Sequence, residues 1–206
     1  MAERELIEYI RKLAAVDKPP WATVGIGDDA AALEVPGGGQ LVVTTDMVIE
    51  GVHFQSGTAA RLVGRKAVAR ALSDIAAMAA RPLCTLAAVN FGACRDETTW
   101  QELSRALCET AREFSAPLIG GDVASGAGPM SVTVTALGIP GTHGIITRAG
   151  AQPGDAICVT GQLGGSIRGR HLEFRPRIEE ALALAERFGV HVSERTVGRY
   201  LAGAKQ

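Results

Sequence analysis

The stretch from about Ala59 to Ala80 limits the fold most. It is rich in small residues and apolar on more than one face, so as a helix it has to be buried against a sheet. The flanking segments supply strands. Ala30 to Val35 reads as a short strand, Pro36-Gly-Gly-Gly39 as a turn, and Leu41-Val-Val-Thr-Thr45 as a β-rich strand running out at Asp46. Pro82 punctuates the chain after the buried helix, and Thr85 to Phe91 forms the next strand. Thr98 to Phe114 fits an amphipathic helix with Thr98 or Thr99 as N-cap. Pro117-Leu-Ile119 leads into a Gly120-Gly121 turn, and Ser131 to Gly138 alternates as a half-exposed strand. At the start, Ala2 to Ala15 reads as an amphipathic helix with Leu6, Ile7, Ile10 and Leu13 on one face.

This order of elements predicts an α+β protein: a mixed sheet with helices packed on one face in an N-terminal domain, followed by a second α/β segment. The boundary falls near Pro140 to Gly144, dividing the chain into residues 1–140 and 141–206. In the second part, Ala156 to Thr160 reads as a strand and Pro176 to Phe188 as a helix. The tail from about Ser193 fits no motif connected to what precedes it.

Composition narrows the function. A chain of 206 residues with 47% hydrophobic and 21% charged residues can bury a sizeable core. A net charge of -1 gives no electrostatic reason to expect nucleic acid as a partner. No apolar run reaches membrane-spanning length, and no secretory leader is visible. Cys84, Cys94, Cys108 and Cys158 show neither a Cys-x-x-Cys spacing nor a zinc-like interval to histidine, which predicts small core residues in the reducing cytoplasm.

Four acidic segments stand where strands or helices should meet turns. They are Gly25-Ile-Gly-Asp-Asp-Ala-Ala31, Thr44-Thr-Asp46 continuing to Glu50-Gly-Val-His53, Leu72-Ser-Asp-Ile-Ala-Ala-Met78, and Gly120-Gly-Asp122. Each alone has an ordinary reading as a turn, a cap or a solvated helix face. Carboxylates converging on one cleft would repel one another unless cations neutralised them. Mg²⁺ meets that need where phosphates share the site, because it takes oxygen ligands. Thr44 and Thr45 add hydroxyl or carbonyl oxygens beside Asp46, and Asp74 lies among apolar helical neighbours where an uncompensated charge is costly. His53 and Arg148 are candidates for a substrate or phosphate contact, against the alternatives of a structural histidine and a solvated arginine. No Gly-x-x-x-x-Gly-Lys-[Ser/Thr] loop is present, so any nucleotide phosphates would be held largely through metals.

As a set, these segments resemble thiamine-monophosphate kinase, of the aminoimidazole-ribonucleotide-synthetase-like superfamily. The likeness is carried by Gly-Ile-Gly-Asp-Asp-Ala-Ala (25–31), Thr-Thr-Asp-x-x-x-Glu-Gly-Val-His-Phe (44–54), Gly-Arg-Lys-Ala-Val-Ala-Arg-Ala-Leu-Ser-Asp-Ile-Ala-Ala-Met (64–78), Ile-Gly-Gly-Asp (119–122) and Thr-Arg-x-Gly-Ala-x-Pro-Gly-Asp (147–155). The resemblance implies phosphorylation of thiamine monophosphate to thiamine diphosphate, with ATP as co-substrate, Mg²⁺ as cofactor and a homodimer formed by sheet pairing. By position it makes Asp29, Thr44, Thr45, Asp46, Asp74 and Asp122 metal ligands, His53 a substrate contact, and Gly121, Asp122 and Arg148 nucleotide contacts. No protein nucleophile is implied. The resemblance makes residues 1–140 a metal- and nucleotide-binding and dimerisation domain, and because the family's later Asp-x-Ser-Asp-Gly-Leu segment has no match, 141–206 is expected to be a partial, incomplete second α/β domain. The alternatives are a non-catalytic dimer that binds Mg-nucleotide and another ATP-dependent synthetase of the superfamily.

Overall fold

The computed structural model describes residues 3–94, 96–149, 153–154, 156, 159–162 and 164–188. Six strands, β1 (Ala22–Val24), β2 (Ala31–Glu34), β3 (Gln40–Ile49), β4 (Ala80–Asn90), β5 (Leu118–Ala124) and β6 (Ser131–Pro140), form one sheet in the order β1-β2-β3-β6-β4-β5. All neighbours are antiparallel except β4 and β5, so the sheet is mixed, as the sequence predicts. Alternation along the strands sorts residues by face. On β3, Val42, Thr44 and Val48 are buried; on β6, so are Val132, Val134 and Ala136.

That buried face is covered by α2 (Ala60–Ala77), which packs on β3, β6 and β4, and by α3 (Glu97–Glu113), which packs on α2 and reaches β4 and β5. Leu72, Ile75, Met78, Leu103 and Leu107 are fully buried between the layers. The opposite sheet face is open among the described residues: Met47 and Ile139 are 45% and 41% exposed, and Ala88 and Asp122 are exposed.

The two helices approach closely at Gly64. A Cβ there would stand 2.8 Å from the Ala106 Cβ and 3.0 Å from the Leu103 carbonyl oxygen. Alanine gains about 1 kcal/mol of helix propensity over glycine, but overpacking a tight contact costs about 1–3 kcal/mol. Gly64→Ala is therefore expected to lower the denaturation midpoint in a urea melt, whereas the same change at an open helical site would raise it.

Local expectations fare unevenly. Asp96, not either threonine, caps α3: its carboxylate accepts from the Thr98 and Thr99 amides at 3.2 and 3.0 Å. β4 begins at Ala80 and runs through Pro82, which lies ahead of the parallel pairing with β5 and so needs no amide hydrogen there. Gly120-Gly121-Asp122 is strand rather than turn, because β5 pairs with β4 along its length. β1 has no counterpart in the sequence reading. The opening helix is present as α1 (Glu3–Ala14), yet Leu6, Ile7, Ile10 and Leu13 are exposed.

Beyond the sheet, a short 3₁₀ turn at Ser166–Arg168 leads to α4 (Arg170–Glu173) and α5 (Ile178–Phe188), and both helices pack against α2. Glu113, at the end of α3, receives Arg65 at 2.6 Å and also Arg175. Both guanidiniums stand over the Phe114 ring, at 5.9 and 5.1 Å from its centroid. The Arg65 hydrogen bond holds the Glu113 carboxyl below its ordinary value. Of the strand expected at 156–160, residues 157 and 158 lie outside the described residues while 156, 159 and 160 are not in a strand, and all of the tail from 193 lies outside the described residues. Among the described residues, no helix is long and apolar enough to cross a membrane.

Candidate functional site

The site is a charged seam between α2 and β3. Four-residue spacing puts Lys66, Arg70 and Asp74 on one face of α2, and two-residue spacing puts Thr44 and Asp46 on the covered face of β3. The two rows meet. The Thr44 hydroxyl donates to Asp74 Oδ2 at 2.8 Å, both residues being buried. One turn earlier on the helix, Arg70 Nε stands 3.1 Å from Asp46 Oδ2, with side chains only 19% and 13% exposed. One turn earlier again, the buried Lys66 ammonium donates to the His53 carbonyl and to His171 Nδ1, the latter at 2.7 Å.

Asp29 extends the seam past Thr44, whose hydroxyl lies 3.4 Å from the Asp29 carbonyl oxygen. Its carboxylate, 1% exposed, is gripped by both arms of the Arg148 guanidinium, with Nε at 3.0 Å from Oδ2 and Nη2 on Oδ1. That hydrogen bond raises the Arg148 pKa above its ordinary value. Asp28 shapes the loop: it accepts the Arg148 amide at 3.0 Å through Oδ2 and the Asp29 amide at 2.9 Å through Oδ1.

His53 lies at the other end, in the turn after β3. Its Nδ1 accepts the Ile49 amide at 3.0 Å, which leaves the ring hydrogen on Nε2. Burial lowers its pKa, Arg70 and Lys66 lower it further, and Asp46 opposes them. The imidazole is therefore a neutral group offering an Nε2–H donor.

The structure thus brings Asp29, Thr44, Asp46, Asp74 and Arg148 along one seam, with His53 at its end. Thr45 points the other way, its hydroxyl 3.1 Å from that of Thr135 on the open face. Gly121 and Asp122 are exposed on the edge strand. Asp122 is level with Ala88, Thr133 and Met47 across successive strands, so it lies on the open face, three strand spacings or about 14 Å from β3. Within one chain, then, Thr45, Gly121 and Asp122 stand apart from the other candidates. Arg70, Lys66 and His171 are seam residues that the sequence reading did not single out. The signal for the first two was charge recurring at four-residue intervals in an otherwise apolar helix.

Among the described residues, no three acidic, histidine or cysteine side chains stand close enough to hold a metal ion as they are. The donors nonetheless fit Mg²⁺ in kind: hard carboxylate and hydroxyl oxygens gathered in a seam that already draws two guanidiniums to neutralise it. A cation entering there would take over charge compensation now supplied by Arg148 and Arg70.

A half-covered mixed sheet with such a seam under its helical layer defines an α+β domain built around compensated carboxylates. Residues 27–140 match the family described as AIR synthase related protein, N-terminal domain, and the chain belongs to that family. Among curated relatives, the thiamine-monophosphate kinase of Rhodopirellula baltica is 38% identical over 199 residues, covering 93% of this chain and 62% of that protein. The thiamine-monophosphate kinase of Haemophilus influenzae is 35% identical over 205 residues, covering 89% of this chain and 61% of that protein. The chain therefore spans less than two thirds of the length of these relatives. Among solved structures, AaThiL complexed with AMPPCP and TMP superposes with a TM-score of 0.71 at 25% identity, covering 99% of this chain and 62% of that one. Thiamine-monophosphate kinase from Stenotrophomonas maltophilia superposes with a TM-score of 0.59 at 34% identity, covering 98% of this chain and 65% of that one.

Proposed function

We propose that the chain carries the metal- and nucleotide-binding part of an ATP-dependent kinase that converts thiamine monophosphate to thiamine diphosphate in the cytoplasm. The observation that carries this reading is the compensated carboxylate seam, set in a chain whose relatives are named as thiamine-monophosphate kinases. In the reaction, a phosphate oxygen of thiamine monophosphate forms a bond to the γ-phosphorus of ATP. The bond from that phosphorus to the β–γ bridging oxygen breaks, and ADP leaves with the electron pair. No protein nucleophile is needed. No strong base is needed either, because a phosphate monoester is already anionic at neutral pH.

Asp29, Thr44, Asp46 and Asp74 would hold Mg²⁺, whose chemistry when bound is to neutralise charge on the phosphates. Arg148 has a half-exposed side chain and a guanidinium suited to phosphate, so it can release Asp29 and take up a nucleotide oxygen. His53 offers its Nε2–H to the substrate. Thr45, Gly121 and Asp122 join this set where the open sheet faces of two protomers meet. A homodimer of this kind is supported by the exposed Met47 and Ile139 on that face. In this reading residues 1–140 form the binding and dimerisation domain, and 141–206 begin the second.

Turnover tests the proposal. Purified chain with thiamine monophosphate, ATP and Mg²⁺ is expected to yield thiamine diphosphate above a no-enzyme control, identified by mass. Mg-ATP binding without product would instead support a nucleotide-binding dimer that does not turn over. Neither binding nor product would overturn both readings.

A further inference from the structure

Lys66 is a seam residue to which the proposed reaction gives no task, and its position is costly. It is 8% exposed in the middle of α2, its two hydrogen-bond acceptors are neutral groups, and both burial and the neighbouring Arg70 oppose its charge. A methionine of similar length would pack there without that cost. What the ammonium does is geometric. One N–H holds the carbonyl of His53, in the turn where the Val52 and His53 amides already bond back to the Ile49 carbonyl at 3.2 and 2.8 Å. A second N–H holds His171 Nδ1 on α4, whose neighbouring segment is clamped to α3 by Arg175 and Glu113.

We propose that Lys66 is a positioning residue: it fixes the turn that aims His53 Nε2–H and ties that turn, through His171, to the helix Arg170–Glu173. The functional part of this inference rests on the reading of His53 as a substrate contact; the mechanical part does not. A charge retained at a cost to stability, joining two segments far apart in the sequence, is what a geometric requirement on the turn would preserve.

Lys66→Met, Lys66→Arg, His171→Ala and His53→Ala separate the two parts, read by histidine-ring nitrogen NMR and by thiamine monophosphate calorimetry on the full chain. In Lys66→Met the melting temperature is expected to hold or rise, while the His53 ring loses its single Nε2–H form and averages between tautomers. Thiamine monophosphate affinity is expected to fall about tenfold, the scale of losing one hydrogen bond. Lys66→Arg should restore much of both, and His171→Ala should move the His53 signals the same way by less. Unchanged His53 ring signals in folded Lys66→Met and His171→Ala overturn the proposal. If His53→Ala leaves thiamine monophosphate binding unchanged while Lys66→Met still disturbs the ring, the substrate contact is wrong and the positioning role stands.

Discussion

Asp46→Asn is expected to weaken Mg-ATP binding at least tenfold, or by more than about 1.4 kcal/mol. Asp46 lies on the covered face of β3, two residues from Thr44, with its carboxylate against Arg70. The amide keeps the size and shape of the side chain but removes a full negative charge and one strong acceptor oxygen. A hard cation is bound through that charge, so the loss should appear in Mg-dependent affinity and leave the sheet intact. Arg70 can still bond the amide oxygen, which limits the penalty to the fold. Calorimetry showing wild-type affinity in a folded Asp46→Asn protein would remove Asp46 from the ligand set.

The second large effect is structural and falls on the edge strand β5. A Cβ at Gly121 would lie 1.9 Å from the Ala87 carbonyl oxygen and 2.7 Å from its carbon, both backbone atoms of β4. No side-chain rotation relieves that contact, so Gly121→Ala must push β5 off β4. The cost is expected to reach the upper end of overpacking, about 3 kcal/mol. For a chain of this size that corresponds to a melting temperature lower by roughly 6–12 °C. Its neighbour is the control: a Cβ at Gly120 meets only the Leu86 Cδ2 at 3.7 Å, ordinary contact, so Gly120→Ala should melt close to wild type. Equal effects of the two substitutions would mean that close strand approach is not what requires Gly121.

Much of the fold was legible because its signals are local. The small-residue helix announced a sheet beneath it, and alternation along β6 announced a strand covered on one face. The seam was half legible. Asp74 stood out as an acid among apolar residues, and Asp46 as an acid beside two threonines at the end of a strand. Lys66 and Arg70 carried the same four-residue period as Asp74 but did not stand out, because a helix face can be turned to solvent or to a sheet without changing its sequence. Arg148 and Asp29 are 119 residues apart, and no periodicity links them. The Gly120-Gly121-Asp122 segment misled for a physical reason. Glycine pairs mark turns when the chain needs an unusual conformation, but here Gly121 is needed for close approach within a strand. Thr45 shows the opposite limit: adjacent strand residues point to opposite faces, so its side chain cannot share a pocket with that of Thr44 in one chain.

Where the metal-nucleotide sits on the protein is the decisive measurement. Mn²⁺ in place of Mg²⁺, added with ATP to isotopically labelled protein, broadens the NMR signals of nearby amides. The seam account predicts nucleotide-dependent loss of the signals from Asp29, Thr44, Asp46 and Asp74. Broadening confined to other parts of the chain, with those four signals intact, would contradict it.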